Sequence, residues 1–303
     1  MHAISRSRLL FAALVAACAG LAAGCHSVPS TRRAGELDDP AKLTQAAPHY
    51  WEKKGTACPS SAKRIAIIEF SVDYVSEKLL SPSKAQPKVS GIDYSTSGFV
   101  LTTIGVWKNK TTFDESFKTA LPEEMYEIFV RELESHGYSV VPLEEVRKAE
   151  AYSRLAAEKP GASSFWQRLS IAGSDTGTTK KMQVYPAEGL VTIKGTGGAK
   201  VEDVEAALAK EIGADATIRA RFRVGLYDQR ATVERGSWIF IRTTTGAQEL
   251  TASMSLESEE EVAGKGEFKA FQGRIYKVDS AKYRAAIGEI FPAFVDMALV
   301  QTK

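Results

Sequence analysis

The sequence predicts an α/β fold: a mixed, twisted β-sheet flanked by helices, with a β-meander and a C-terminal helix, preceded by an N-terminal leader and a flexible tether. Three observations carry this. Arg64-Ile-Ala-Ile-Ile-Glu-Phe70 is a nearly continuous apolar run rich in β-branched residues, the pattern of a central strand covered on both faces. Phe117, Leu121, Met125, Ile128 and Phe129 recur at helical spacing, with Glu123, Glu124, Glu127 and Arg131 on the opposite side. Ile218, Ala220, Phe222 and Val224 alternate with Thr217, Arg219, Arg221 and Arg223, so that strand keeps one wet or charge-paired face.

The chain opens with Arg6 and Arg8, then an uncharged run from Leu9 to Gly24 that ends in small residues before Cys25. Charge, length and small-residue exit mark residues 1–24 as a secretory signal peptide. The run falls short of the roughly twenty residues that a transmembrane helix needs. The stretch Leu21-Ala-Ala-Gly-Cys25 resembles the lipobox of bacterial lipoproteins. That resemblance implies diacylglyceryl modification of the Cys25 thiol, cleavage before it, and acylation of the new amino terminus. A plain secretory signal cut near the same place is the alternative. Cys18 follows Val-Ala-Ala and fits the pattern too, but Cys25 leaves the longer apolar region. The lipoprotein sorting rule retains chains with aspartate after the cysteine in the inner membrane. His26 stands there, so the resemblance implies an outer-membrane lipid anchor facing the periplasm. One acyl chain binds marginally, whereas two or three hold a protein permanently.

With 303 residues, 44% hydrophobic and 25% charged, the composition is that of a globular protein with one large domain or two small ones. Removing Arg6 and Arg8 from the 39 basic residues leaves 37, equal to the 37 acids. A neutral mature chain gives no support for a nucleic-acid partner or a polybasic membrane patch. Cys58 is left without an intramolecular partner once Cys18 departs and Cys25 is acylated, so no structural disulfide is expected. Residues 25–62 are polar, charged and aperiodic, with Pro40, Pro48 and Pro59, and read as a lipidated flexible tether in which Tyr50-Trp51 docks on the domain. Residues 63–303 then form a single globular α/β domain.

Within it, 71–113 reads as an insertion with strand-like pieces near Val72–Val75 and Phe99–Trp107. The helix over 117–133 has Asp114 as its N-cap, or Pro122 in its first turn, and Gly137 as its stop. Tyr138–Pro142 is a short strand and Leu143–Leu155 a second helix. Residues 158–200 form a second insertion: a loop to 182, small strands at Met182–Tyr185 and Leu190–Ile193, and a break at Gly195-Thr-Gly-Gly198. Val201–Ile212 is a helix closed by Gly213, and Ala216–Val224 is the arginine-bearing strand. A meander follows: Ser237–Thr243, a turn at 245–247, Glu249–Glu257, and a third strand in Phe268–Val278. Tyr283–Val300 is an amphipathic helix that Pro292 should kink.

Three stretches, Lys63-Arg-Ile-Ala-Ile-Ile-Glu-Phe70, Arg131-Glu-Leu-Glu-Ser-His-Gly-Tyr-Ser-Val-Val-Pro142 and Ala206-Ala-Leu-Ala-Lys-Glu-Ile-Gly-Ala-Asp-Ala-Thr217, stand in this order among these elements. The arrangement resembles the envelope domains of the curli-secretion lipoprotein CsgG, the Pel-export lipoprotein PelC, the penicillin-binding-protein activator LpoB and the N-terminal domain of TolB. What the resemblance implies is a helix-flanked mixed sheet and a role in assembly, export or enzyme activation, with an envelope protein or a homo-oligomer as partner.

The candidate sites are few. Gly195-Thr-Gly-Gly-Ala-Lys200 lacks the spacing and terminal hydroxyl of a phosphate loop and reads as a turn leading into a helix. Glu257 and Glu259–Glu261 lack the spaced ligands and turn glycine of a cation loop and read as a solvated hairpin tip, so no metal is expected. Arg219, Arg221 and Arg223 could clamp an anionic glycan or lipid, or pair with acids from a covering helix. The 237–257 hairpin alternates over too short a span for a lipid-facing strand pair and reads as part of the domain sheet. Glu69 reads as a paired carboxylate, and no nucleophile–base spacing marks a catalytic site. The expectation is a non-enzymatic envelope protein without cofactor. A binding module for an anionic glycan or lipid and an unrecognised hydrolase are the alternatives.

Overall fold

The computed structural model describes residues 31–37, 39–56, 62–79, 108–155, 157, 160–161, 163–166, 180–193, 200–227, 229–269 and 273–302. In chain order the strands are β1 (Thr31–Arg33), β2 (Trp51–Gly55), β3 (Arg64–Leu79), β4 (Lys108–Thr112), β5 (Ser139–Val140), β6 (Ser163–Trp166) and β7 (Lys180–Pro186). Then follow β8 (Ala216–Tyr227), β9 (Arg230–Thr243), β10 (Ala247–Ala252), β11 (Ser255–Glu261), β12 (Glu267–Lys269) and β13 (Gly273–Lys277). The helices are α1 (Pro40–Tyr50), α2 (Glu115–Ser135), α3 (Leu143–Lys148), α4 (Val201–Glu211) and α5 (Ser280–Val300), with short 3-10 turns at Ala34–Leu37 and Tyr152–Arg154.

The predicted class holds: the strands form one twisted, unclosed mixed sheet flanked by helices. Its main path runs β1-β11-β9-β8-β3-β4-β13-β12. β3 and β8 are parallel neighbours, β8 and β9 antiparallel. β9 serves two partners on its outer side, β11 through Arg230–Val233 and β10 through Trp238–Arg242. The two halves meet at Gly236, whose φ of 82° carries the chain through a backbone shape that residues with a Cβ rarely adopt. There the β8 ladder shifts register between Arg221 and Arg223, a bulge that lets one strand feed two directions of sheet.

Alternation sorts the two faces of the sheet. Phe70, Val72 and Tyr74 of β3, with Ala220, Phe222 and Val224 of β8, point to the layer of α2 and α5. Phe70 packs on Phe129 of α2, with ring centroids 5.4 Å apart, and Phe222 on Phe291 of α5 at 4.7 Å. α5 runs through Pro292 as one element, and its residues Ile287, Ile290, Phe291, Phe294 and Val295 are buried. Asp279 caps it through the N–H groups of Ala281 and Lys282. α2 extends from Glu115 to Ser135; Asp114 holds its N-cap position without a side-chain cap bond, and Pro122 lies inside the helix rather than in its first turn.

Several expectations are corrected. Residues 31–55 are not a tether: they contribute β1, α1 and β2, all built into the fold. Leu43, Ala46, Ala47 and Tyr50 stand at helical spacing and form the face that α1 turns to the core, a short stripe that Pro40, Pro48 and the polar residues around it obscure in the sequence. Trp51 is 1% exposed, and its indole N–H donates to the carbonyl of Phe294 at 3.1 Å. Tyr50 is fully buried, which bears out its predicted docking. β2 pairs with β10 over five residues, and β1 runs parallel to β11. The expected insertion at 71–113 does not begin at 71, because β3 continues unbroken to Leu79. The expected strand at Phe99–Trp107 lies outside the described residues. Within 158–200, β7 matches the strand expected at Met182–Tyr185, whereas Leu190–Ile193 contributes only an isolated bridge, Ile193 to Ala157. The second helix is shorter than expected: α3 ends at Lys148 and a 3-10 turn follows. In place of one third strand over Phe268–Val278 stand β12 and β13, paired antiparallel.

Candidate functional site

The sheet face away from α2 and α5 carries the charged side chains. β3 places Glu69, Ser71 and Asp73 there at alternate positions, in register with Arg219, Arg221 and Arg223 of β8. β9 adds Phe240, Trp238 and Glu234 directly opposite the same three arginines. α4 covers part of this face and lowers Glu205 onto it, with Val204 and Leu208 buried beside it.

Each arginine meets a carboxylate of the fold. The guanidinium Nε of Arg219 lies 2.7 Å from Glu205 Oε1, and that of Arg242 donates to Glu205 Oε2 at 2.6 Å. The Glu205 side chain is fully buried, so one carboxylate from the helix joins two strands. Arg221 donates to Glu69 Oε1 at 3.0 Å, and the same oxygen accepts the backbone N–H of Ile193 at 3.2 Å. Arg223 Nε lies 3.8 Å from Asp73 Oδ2. Ser237 ties down the bulge: its hydroxyl accepts the N–H of Arg223 and donates to the carbonyl of Glu234. A Cβ on Gly236 would stand 2.1 Å from Arg223 Nη1, so this glycine also makes room for the guanidinium.

The aromatics complete the lattice. The Arg219 guanidinium carbon lies 4.6 Å from the centre of the Phe240 ring, and Arg242 lies 5.1 Å from the same ring. Arg221 lies 5.7 Å from the Trp238 ring. These are cation–π distances. Burial pushes the Glu69 carboxyl above its ordinary range, and Arg221 pulls it part of the way back. Four arginines stand against Glu69, Asp73, Glu205 and Glu234, with Glu202 at the rim near Arg242. Chemically, the arrangement cross-links a helix and three strands by charge. Arg219, Arg223 and Arg242 meet their carboxylates through Nε and Arg221 through Nη2, so each guanidinium is held by a charged partner.

Of the two readings of the arginine row, the fold has the paired one, though only Arg219 takes its acid from a covering helix. Arg221 and Arg223 take theirs from the neighbouring strand. Asp73, Glu205, Arg242, Trp238 and Phe240 were missed as members of this constellation. A signal existed for the first: Glu69-Phe-Ser-Val-Asp-Tyr74 alternates polar and apolar residues without a break. For Glu205 the signal is its place among Val201, Val204 and Leu208 at helical spacing, which puts a carboxylate on the buried face of α4.

The acidic run is corrected. It is no hairpin tip but the length of β11, with Glu257 buried and Glu259–Glu261 exposed. Glu259 accepts the N–H of Gly35 at 3.0 Å, tying β11 to the turn after β1. The 237–257 hairpin is hydrogen-bonded on both sides, β9 to β8 and β10 to β2, as part of the domain sheet. Cys25, Cys58 and residues 195–199 of the glycine stretch lie outside the described residues. Among the described residues, no group of His, Cys, Asp and Glu has the arrangement of a metal site, and no helix is long and apolar enough to cross a membrane.

Fold and face together define a mixed α/β domain whose open sheet carries a charge-paired arginine lattice. No family model, curated protein or solved structure matches the chain.

Proposed function

We propose that the protein is an outer-membrane lipoprotein, anchored through acylated Cys25 and facing the periplasm, that acts through protein contacts as an assembly, export or regulatory partner in the cell envelope. The observation that carries the anchor is Leu21-Ala-Ala-Gly-Cys25 behind Arg6, Arg8 and an uncharged run. The geometry favours a role through protein contacts over anion capture. Arg219, Arg221 and Arg223 each engage a carboxylate of the fold, so an incoming anion would have to displace an acid already seated. Intact mass of the protein purified from membranes tests the anchor: a mass matching a chain starting at Cys25 plus diacylglycerol and a fatty acyl group is expected. A mass matching the unmodified polypeptide would sink it.

A second reading has one specific observation behind it. Trp238 and Phe240 are partly exposed next to guanidinium groups that stand over their rings, and aromatic side chains beside guanidinium groups suit a sugar ring bearing an acid. In that reading the domain is a binding module for an anionic glycan or lipid. Arg221→Ala separates the two. Loss of retention on an acidic-glycan column with unchanged oligomer size favours the binding module, and unchanged retention favours the partner role.

A further inference from the structure

We infer that the domain is held directly against the bilayer surface, with the corner where β1 begins as its lipid-facing part. The inference rests on acylation of Cys25, the reading given above.

The argument starts from chain length. Only residues 26–30 separate Cys25 from Thr31, the first residue of β1. Whatever their conformation, the six Cα–Cα steps from Cys25 to Thr31 span at most about 20 Å. The 37 residues of 26–62 would have stood at a mean end-to-end distance of roughly 30–35 Å if flexible, with far greater reach when pulled straight. Membrane distance is therefore decided by whether 31–55 stays in the fold.

It is held at several independent points. Thr31, Arg32 and Arg33 pair with Ser255, Leu256 and Glu257. The Gly35 N–H is bonded to Glu259. Leu37, Ala46, Ala47, Tyr50 and Trp51 are buried in the main core. Trp51 packs on Phe294 in a tilted pair with centroids 4.9 Å apart, and Lys53 Nζ donates to the carbonyl of Gln301 at 2.8 Å. Detaching this segment would strip a face of α5 and expose an edge of β10, so it belongs to the cooperative unit.

Register then says which part meets the lipid. β1 and β11 are parallel, so the chain reaches Thr31 from the Ser255 end, and the acidic residues Glu259–Glu261 follow at the other end of β11. Beside Ser255 are Arg235, whose N–H donates to the Ser255 hydroxyl at 3.0 Å, and the turn residue Ser253. Ser253 is bonded in turn to the carbonyls of Tyr50 and His49, and His49 is exposed. This corner is polar and hydrogen-bonding; one exposed acid, Glu52 of β2, stands near it, while the run Glu259–Glu261 lies at the far end of β11. The occupant that fits is the headgroup layer of the bilayer that holds the acyl chains.

Neutron reflectometry of the full acylated protein on a supported bilayer of phosphatidylethanolamine with a minority of phosphatidylglycerol tests this. Expected is protein density beginning within about 20 Å of the headgroups. A variant with about thirty Gly/Ser residues inserted after Ser27 should move that density outward by roughly 20–30 Å. Acylated wild-type protein separated from the headgroups by a wider water layer, with fast amide exchange over 41–55, would overturn the inference and leave the anchor standing. Protein found unacylated by mass would overturn both.

Discussion

At the residue scale, the charged face is a set of exchanges between burial cost and pairing. Glu205 is the sharpest case, a fully buried carboxylate shared by Arg219 and Arg242. Removing one partner of a buried pair leaves the other charges desolvated, which typically costs 3–5 kcal/mol. Both arginines keep about a fifth of their side-chain surface in water. We therefore expect Glu205→Ala to destabilise by about 2–3 kcal/mol in urea unfolding, and a loss below about 0.5 kcal/mol would show the pairing to be ornamental. Asp215 works differently. Its exposed carboxylate accepts the N–H groups of Lys63 and Arg64, both at 2.8 Å, and these bonds hold its pKa below the ordinary 3.8. A depressed carboxylate stabilises the fold above its unfolded pKa, and the contribution is lost as pH falls through the folded one. Asp215→Ala should thus cost about 1 kcal/mol near neutrality, and the gap to wild type should narrow as the pH falls below the ordinary 3.8. A gap independent of pH would contradict the assignment.

At the scale of elements, what could be read depended on how each piece is stabilised. α2, α4, β8 and α5 bury one side against a single layer, so their apolar residues repeat at 3.6 or 2 and were read to within a few residues. β3 was cut short at Phe70 because its second half exchanges an apolar face for Ser71 and Asp73, whose acceptability depends on β8. The segment 31–55 resembles a tether in sequence because its helical stripe, Leu43, Ala46, Ala47 and Tyr50, is short and alanine-rich, and the rest of its contribution lies in Trp51 and in edge pairing with β10 and β11. Trp51→Ala should show what that contribution is. It removes a fully buried indole and its bond to Phe294, and we expect about 3–5 kcal/mol of lost stability, with rapid proteolysis between 31 and 55. Proteolysis confined to other segments would mean that α1 and β2 hold without it.

At the scale of the whole molecule, the lattice of arginines and the clamp of 31–55 act on one sheet from opposite sides. α4 and β3 lock β8 from the charged face, and α1 and α5 close the apolar one. In the proposed role, one rigid body is thereby joined to the membrane by a short leash. Cys25→Ala should move the protein from the outer-membrane fraction to the soluble periplasmic fraction without changing its melting temperature, because the thiol lies N-terminal to the first strand. Continued outer-membrane fractionation would contradict lipid anchoring.

The sequence by itself determined the α/β class, the long amphipathic helices, the alternating arginine strand, the charge balance and the uncharged run that ends in small residues before Cys25. Each of these is written in local order: a period, a count or a short run of residues. Only the tertiary structure decided that Glu205 reaches across to two strands, that Asp73 and Glu69 neutralise Arg223 and Arg221, and that Trp51 pins the N-terminal segment under α5. Those pairings join residues as much as 243 positions apart, as between Trp51 and Phe294. A period can place a buried charge or aromatic on an inner face, but it cannot name the partner on which the energy of that burial depends, because folding supplies it.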